Sequence, residues 1–116
     1  MRRKVRKIFM GLVLVLIFAG SAFAGVPSII MLSTRSCSAC AKMSGVLREI
    51  NNQYRGRIAT TNIYLDNNPD IAKKYNIRFV PTLILRDSNG KEIAVEVGYK
   101  AVDEVLKIFK DAGVNI

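Results

Sequence analysis

The chain has two cysteines, Cys37 and Cys40, and they fall where an apolar run gives way to a helical pattern. The run "SIIMLS" (28–33), behind Pro27, suits a short buried strand. After the cysteines, Met43, Val46, Leu47, Ile50 and Tyr54 recur at i, i+3, i+4, i+7 and i+11. That spacing is one face of a helix, and Lys42, Arg48, Glu49 and Gln53 lie outside it. Gly56 is placed to end the helix. A thiol pair at a strand-to-helix junction restricts the architectures open to a chain this short.

The remaining segments extend the same alternation. "IATTNIYL" (58–65) is rich in β-branched and aromatic residues and reads as a second strand. "DNNPDIAKKYN" (66–76) carries Pro69 at a first helical position and Asp70 in the first turn, so a short helix to Tyr75 is predicted. "TLILR" (82–86) and "EIAVEVGY" (92–99) flank Asp87-Ser88-Asn89-Gly90, which is hairpin chemistry. Val102, Val105, Leu106 and Phe109 then repeat at helical spacing, Asp103 and Glu104 suit the first turn, and Gly113 is a stop. The predicted order is β-α-β-α-β-β-α, with a right-handed parallel crossover first and an antiparallel hairpin later. Helices are expected on both faces of the sheet.

The first 24 residues read as a separate unit. "MRRKVRK" has five basic residues and no acid, Ile8 to Gly20 is apolar, and Ala22-Phe23-Ala24 fits a signal-peptidase site before Gly25. A charged, then apolar, then small-residue sequence is an export signal. An uncleaved membrane anchor is the alternative, since the apolar run extended to Val26 is just long enough to span. The expected organisation is therefore a signal peptide over 1–24 and one domain over 25–116, periplasmic or otherwise extracytoplasmic, and membrane-anchored if uncleaved.

Charge follows the same division. The whole chain has 18 basic and 9 acidic residues, but five of the basic ones precede Gly25, so the remainder carries a formal +4. Those basic residues are scattered, without a run or interleaved aromatics, so nucleic-acid binding is not expected. Histidine is absent, which removes Cys-His catalysis, His-based metal sites and a Ser-His-Asp triad together.

Three roles remain for the cysteines. A redox pair fits the junction: unpaired N–H groups and the helix dipole stabilise a Cys37 thiolate, with Arg35 adding a positive charge. Cys40 lies one turn along the same face and within disulfide reach. In that role Cys37 attacks a substrate disulfide and Cys40 resolves the mixed disulfide. A structural staple is the second role, but closing a four-residue loop contributes only about 2 kcal/mol. A metal clip is the third. Two thiolates fall short of a zinc site, whereas copper(I) could use them with Met31 or Met43 as an added soft sulfur. An exported chain meets oxidants and reductants, which favours the redox role.

"YNIRFVPTLIL" (75–85) is the second informative stretch. Pro81 opens a strand, either as an ordinary edge proline or as a cis Val80–Pro81 peptide that aims the backbone at a site.

With both stretches in place, residues 28–112 resemble the thioredoxin superfamily. The likeness rests on the C-x-x-C, the helix "KMSGVLREI", "LDNNPDIAKKYNIR", "VPT", and the "NGKEIAVEVGY" hairpin before a last helix. It implies a thioredoxin-like α/β fold with a central four-stranded mixed sheet. It also implies a cis Pro81 packed beside the cysteines and a Val80 backbone that pairs with an incoming peptide as an added strand. The implied activity is thiol–disulfide exchange with protein substrates, with no bound cofactor.

The chain also departs from the family. Ser36 stands in place of a tryptophan, Ser38-Ala39 replaces Gly-Pro, and Gly45 replaces a helix-kinking proline. Met31 and Asn62 occupy the places of a buried aspartate and its lysine partner, so Cys40 would exchange its proton with water or a substrate group. Between the cysteines Ser38-Ala39 brings no extra cation, so the Cys37 thiolate is stabilised modestly and a strong oxidant is not expected. The expectation is a monomeric reductase supplied by a membrane-embedded thiol donor, with a copper(I) carrier as the alternative.

Overall fold

The computed structural model describes residues 25–116. The expected signal segment, 1–24, lies outside the described residues. The elements run β1 (Ser28–Ser33), α1 (Ser38–Gln53), β2 (Ala59–Tyr64), α2 (Pro69–Lys74), β3 (Thr82–Arg86), β4 (Glu92–Val97) and α3 (Val102–Asp111). This is the predicted order. The four strands form one mixed sheet in the order β2-β1-β3-β4, with β1 parallel to β2 and the other pairs antiparallel.

Side chains alternate across the sheet. Ile29, Met31, Leu83 and Leu85 meet Met43, Val46, Leu47 and Ile50 of α1 and Val105, Leu106 and Phe109 of α3 in one buried cluster. Each such side chain contributes on the order of 1.5–3 kcal/mol by leaving water. The opposite face buries Leu32, Thr82 and Ile84. There the cover is thinner: α2 has no buried residue, and Val95 and Val97 on β4 stay half exposed.

Local chemistry sets the boundaries. Cys37 caps α1 with an extended backbone, and the helix closes at Tyr54, whose N–H donates to the Ile50 carbonyl at 2.8 Å. In the hairpin, Asp87 Oδ1 accepts from the N–H groups of Asn89 and Lys91 at 2.9 and 3.0 Å. Gly90 supplies the left-handed φ of 83° that the turn requires. In α3 the Glu104 carboxylate accepts from the Ala101 N–H at 3.1 Å and so secures the first turn. The predicted strands over 58–65 and 92–99 are trimmed to Ala59–Tyr64 and Glu92–Val97, because ladder pairing stops at Tyr64 and Val97.

Candidate active site

β1 delivers its chain to a three-residue loop, Thr34 to Ser36, at the end of the sheet where parallel β1 and β2 both finish. The Leu65 N–H donates to the Ser33 carbonyl at 2.8 Å, and the Arg35 N–H donates to Asp66 Oδ2 at 3.2 Å. These two bonds fix the loop against the end of β2. α1 then begins, and its cap is a sulfur: Cys37 Sγ accepts the Cys40 N–H at 3.1 Å. Cys37 and Cys40 are joined as a disulfide with their Cα atoms 5.2 Å apart. Cys37 is half-buried, while Cys40 is only 3% exposed. An incoming sulfur can therefore reach Cys37 far more easily than Cys40.

The second stretch arrives from across the sheet. Val80–Pro81 is a cis peptide, Pro81 is buried, and the Val80 carbonyl oxygen lies 3.9 Å from Cys37 Sγ. In the disulfide this is a contact without a thiol proton. Gly98, at φ 93°, donates its N–H to the Pro81 carbonyl at 2.8 Å and ties the β4 end to this segment. Thr82 Oγ1 donates to the Phe79 carbonyl at 2.7 Å. Among the described residues, neither the N–H nor the carbonyl of Val80 has a backbone hydrogen-bond partner.

Arg35 is exposed and its guanidinium lies over the Tyr64 ring, 5.3 Å from the centroid. Both line a hollow of about 240 Å³ together with Cys37, Cys40 and Ser44. The fold thus gathers Arg35, Cys37, Cys40, Val80 and Pro81 at one end of the sheet. Met31 and Met43 are fully buried instead, and Met43 Sδ accepts the Lys100 N–H at 3.4 Å. Among the described residues, no group of three or more Cys, Asp or Glu is placed to hold a metal ion.

Three contributors fall outside the site residues expected from the sequence. Tyr64 carries the Arg35 cation, Asp66 holds its backbone, and Ser33 donates to Asn62 Oδ1 at 2.6 Å beneath the site. The Ser33–Asn62 pair depends on the parallel register, in which Met31 faces Asn62 and Ser33 faces Tyr64. A polar residue closing the run "SIIMLS" was the available signal.

Comparison with known proteins agrees with this architecture. A family model described as a thioredoxin-like domain matches residues 22–113. Thioredoxin of Buchnera aphidicola is 34% identical over 80 residues, covering 68% of this chain and 71% of the relative. Thioredoxin 1 of a Nostoc species is 36% identical over 62 residues, covering 53% and 57%. The chain thus spans somewhat over half to about 71% of the length of these two curated relatives. Among solved structures, chloroplastic thioredoxin z matches with a TM-score of 0.72 at 18% identity, covering 82% of this chain and 87% of that one. A malaria-parasite thioredoxin-2, described as a component of protein secretion machinery, matches with a TM-score of 0.69 at 22% identity. It covers 74% of this chain and 82% of its own. At these identities the structures speak to the fold.

Proposed function

Because the chain belongs to the thioredoxin superfamily and carries its Cys37–Cys40 pair as a disulfide, we propose that it is an extracytoplasmic thiol–disulfide oxidoreductase acting on protein disulfides as a reductase. One observation carries the reading: the more accessible sulfur, Cys37, caps a helix, accepts a backbone N–H, and lies beside the unpaired Val80 backbone.

In the reduced protein the Cys37 thiolate attacks one sulfur of a substrate disulfide. The substrate S–S bond breaks, and its second sulfur leaves as a thiolate that takes up a proton. The Cys40 thiolate then attacks Cys37 in the mixed disulfide and releases the remaining substrate sulfur. Two electrons have passed to the substrate, and Cys37–Cys40 is oxidised. The Cys40 N–H and the end of α1 hold negative charge on Cys37, and Arg35 adds a partly screened cation. Val80 offers its N–H and carbonyl to an extended substrate strand, with Pro81 fixing the approach. Cys40 exchanges its proton with water in the hollow it shares with Ser44 and Tyr64.

A membrane-embedded thiol carrier supplies electrons in this scheme, since an exported reductase must be recharged from inside. Trapping thiols in growing cells with an alkylating mass tag tests the direction. A mainly reduced pair is expected; a mainly oxidised pair with a potential well above that of thioredoxin overturns the reductase assignment. Anaerobic copper(I) titration tests the carrier alternative, which requires a tight stoichiometric complex that blocks exchange.

A further inference from the structure

The outer face of the β3–β4 hairpin has a feature that the exchange chemistry does not use. Val95 and Val97 pair in register with Ile84 and Thr82, so alternation turns them away from the α1–α3 core. They are 50% and 53% exposed, and Phe79 is 68% exposed. Single exposed apolar side chains are ordinary. Here they converge: Tyr75, Ile77, Phe79, Val95 and Val97 line one hollow of about 230 Å³. Phe79 immediately precedes Val80, and the Thr82 hydroxyl holds its carbonyl. The hollow therefore adjoins the segment against which Cys37 sits.

Its surroundings are cationic. Arg78 lines it. Tyr75, in its wall, accepts a bond from Arg86 Nη2 at 3.3 Å and carries Lys74 Nζ at 5.6 Å from the ring centroid. Against these three, the ladder sets Glu92 opposite Arg86, and α2 contributes Asp70. A second copy of this chain would bring like charge to like charge. Eight residues line the hollow, against roughly 20–30 on each side of a stable protein interface. Both observations favour a short segment over a dimer.

We propose that this hollow binds a bulky apolar side chain flanked by acidic residues, in the polypeptide segment next to the substrate cysteine. The proposal rests on the disulfide-exchange reading and names its substrate class. An extended strand paired at Val80 would carry the apolar side chain into the hollow, where it is shielded by Phe79 and Val97. Its carboxylate neighbours would face Lys74, Arg78 and Arg86.

The test is single-turnover oxidation of the reduced full chain by three disulfides. One is a peptide disulfide with a Phe-Glu-Glu arm, one the same peptide with Ser-Lys-Lys, and one the neutral hydroxyethyl disulfide. The acidic–apolar peptide is expected to react about tenfold faster than the basic one at low peptide concentration. Phe79→Ser with Val97→Ser should remove most of that preference and leave the hydroxyethyl disulfide rate unchanged. Arg78→Glu, an independent surface change, should lower the preference and its dependence on salt. Equal rates for the two peptides with normal hydroxyethyl disulfide turnover overturn the proposal alone, as does a dimer in sedimentation that Phe79→Ser disperses. Failure to oxidise with any of the three overturns the exchange reading together with it.

Discussion

The Cys40 N–H donates to the sulfur of Cys37 at 3.1 Å, so the residue that closes the disulfide also supplies the helix-cap bond to its partner. The same bond remains available to a Cys37 thiolate once the disulfide is opened, whereas Cys40 is buried within the first turn. A charge-assisted bond of this kind is stronger than a neutral one. In the reduced protein, iodoacetamide is therefore expected to modify Cys37 well before Cys40 at neutral pH. Mass mapping of the labelled peptides checks this order, and equal rates across pH 5–9 would contradict it.

Arg35 is exposed, so its cation is screened by solvent. An exposed charge pair contributes at most about 1 kcal/mol. Arg35→Ala should thus slow alkylation of Cys37 by no more than about fivefold, with the difference shrinking in high salt. A hundredfold loss would mean that Arg35 acts through the loop geometry that Tyr64 and Asp66 hold.

Ser33 is wholly buried and donates to Asn62. Asn62→Ala removes the acceptor and leaves a buried hydroxyl unpaired, at a cost of about 1–3 kcal/mol. Ser33→Ala in the same background should recover part of that loss. Urea unfolding of the two single variants and the double variant measures the coupling, and strict additivity would show the pair to be energetically idle.

Gly45 lies within α1, and a Cβ added there meets no atom within 4 Å. Gly45→Ala should stabilise the protein by about 1 kcal/mol through helix propensity. Phe109→Ala, at a fully buried position in the core cluster, should cost about 3–5 kcal/mol. Thermal unfolding distinguishes both from the wild type.

Export makes a separate prediction. The basic, apolar and small-residue segments before Gly25 call for a mature chain starting at Gly25. N-terminal sequencing of the protein from its native host reads this directly, and intact residues 1–24 in the membrane fraction would indicate an anchor.

Much of the fold was legible because its periodicities are clean. Met43, Val46, Leu47 and Ile50 mark the buried face of α1 at helical spacing, and all four enter the core cluster. Asp87 through Gly90 announced the hairpin, since only a few residue types accept that turn. The pairings that required strand register were not legible. Ser33 and Asn62 are 29 residues apart, and Arg35 meets Tyr64 only because β1 and β2 run parallel and end together. Phe79 was illegible for another reason. Its exposure depends on tertiary packing: β4 is an edge strand and its outer face is thinly covered, so the ring beside Val80-Pro81 stays exposed.

In the proposed exchange cycle Cys37 forms the covalent bond to substrate and Cys40 breaks it. Expression of Cys40→Ser in the native host, followed by acid quenching and alkylation, tests this division of roles. Protein–protein mixed disulfides that collapse on reduction are expected, with the crosslink mapped to Cys37, and few or none from Cys37→Ser. Abundant crosslinks through Cys40 in Cys37→Ser, with none in Cys40→Ser, would contradict it.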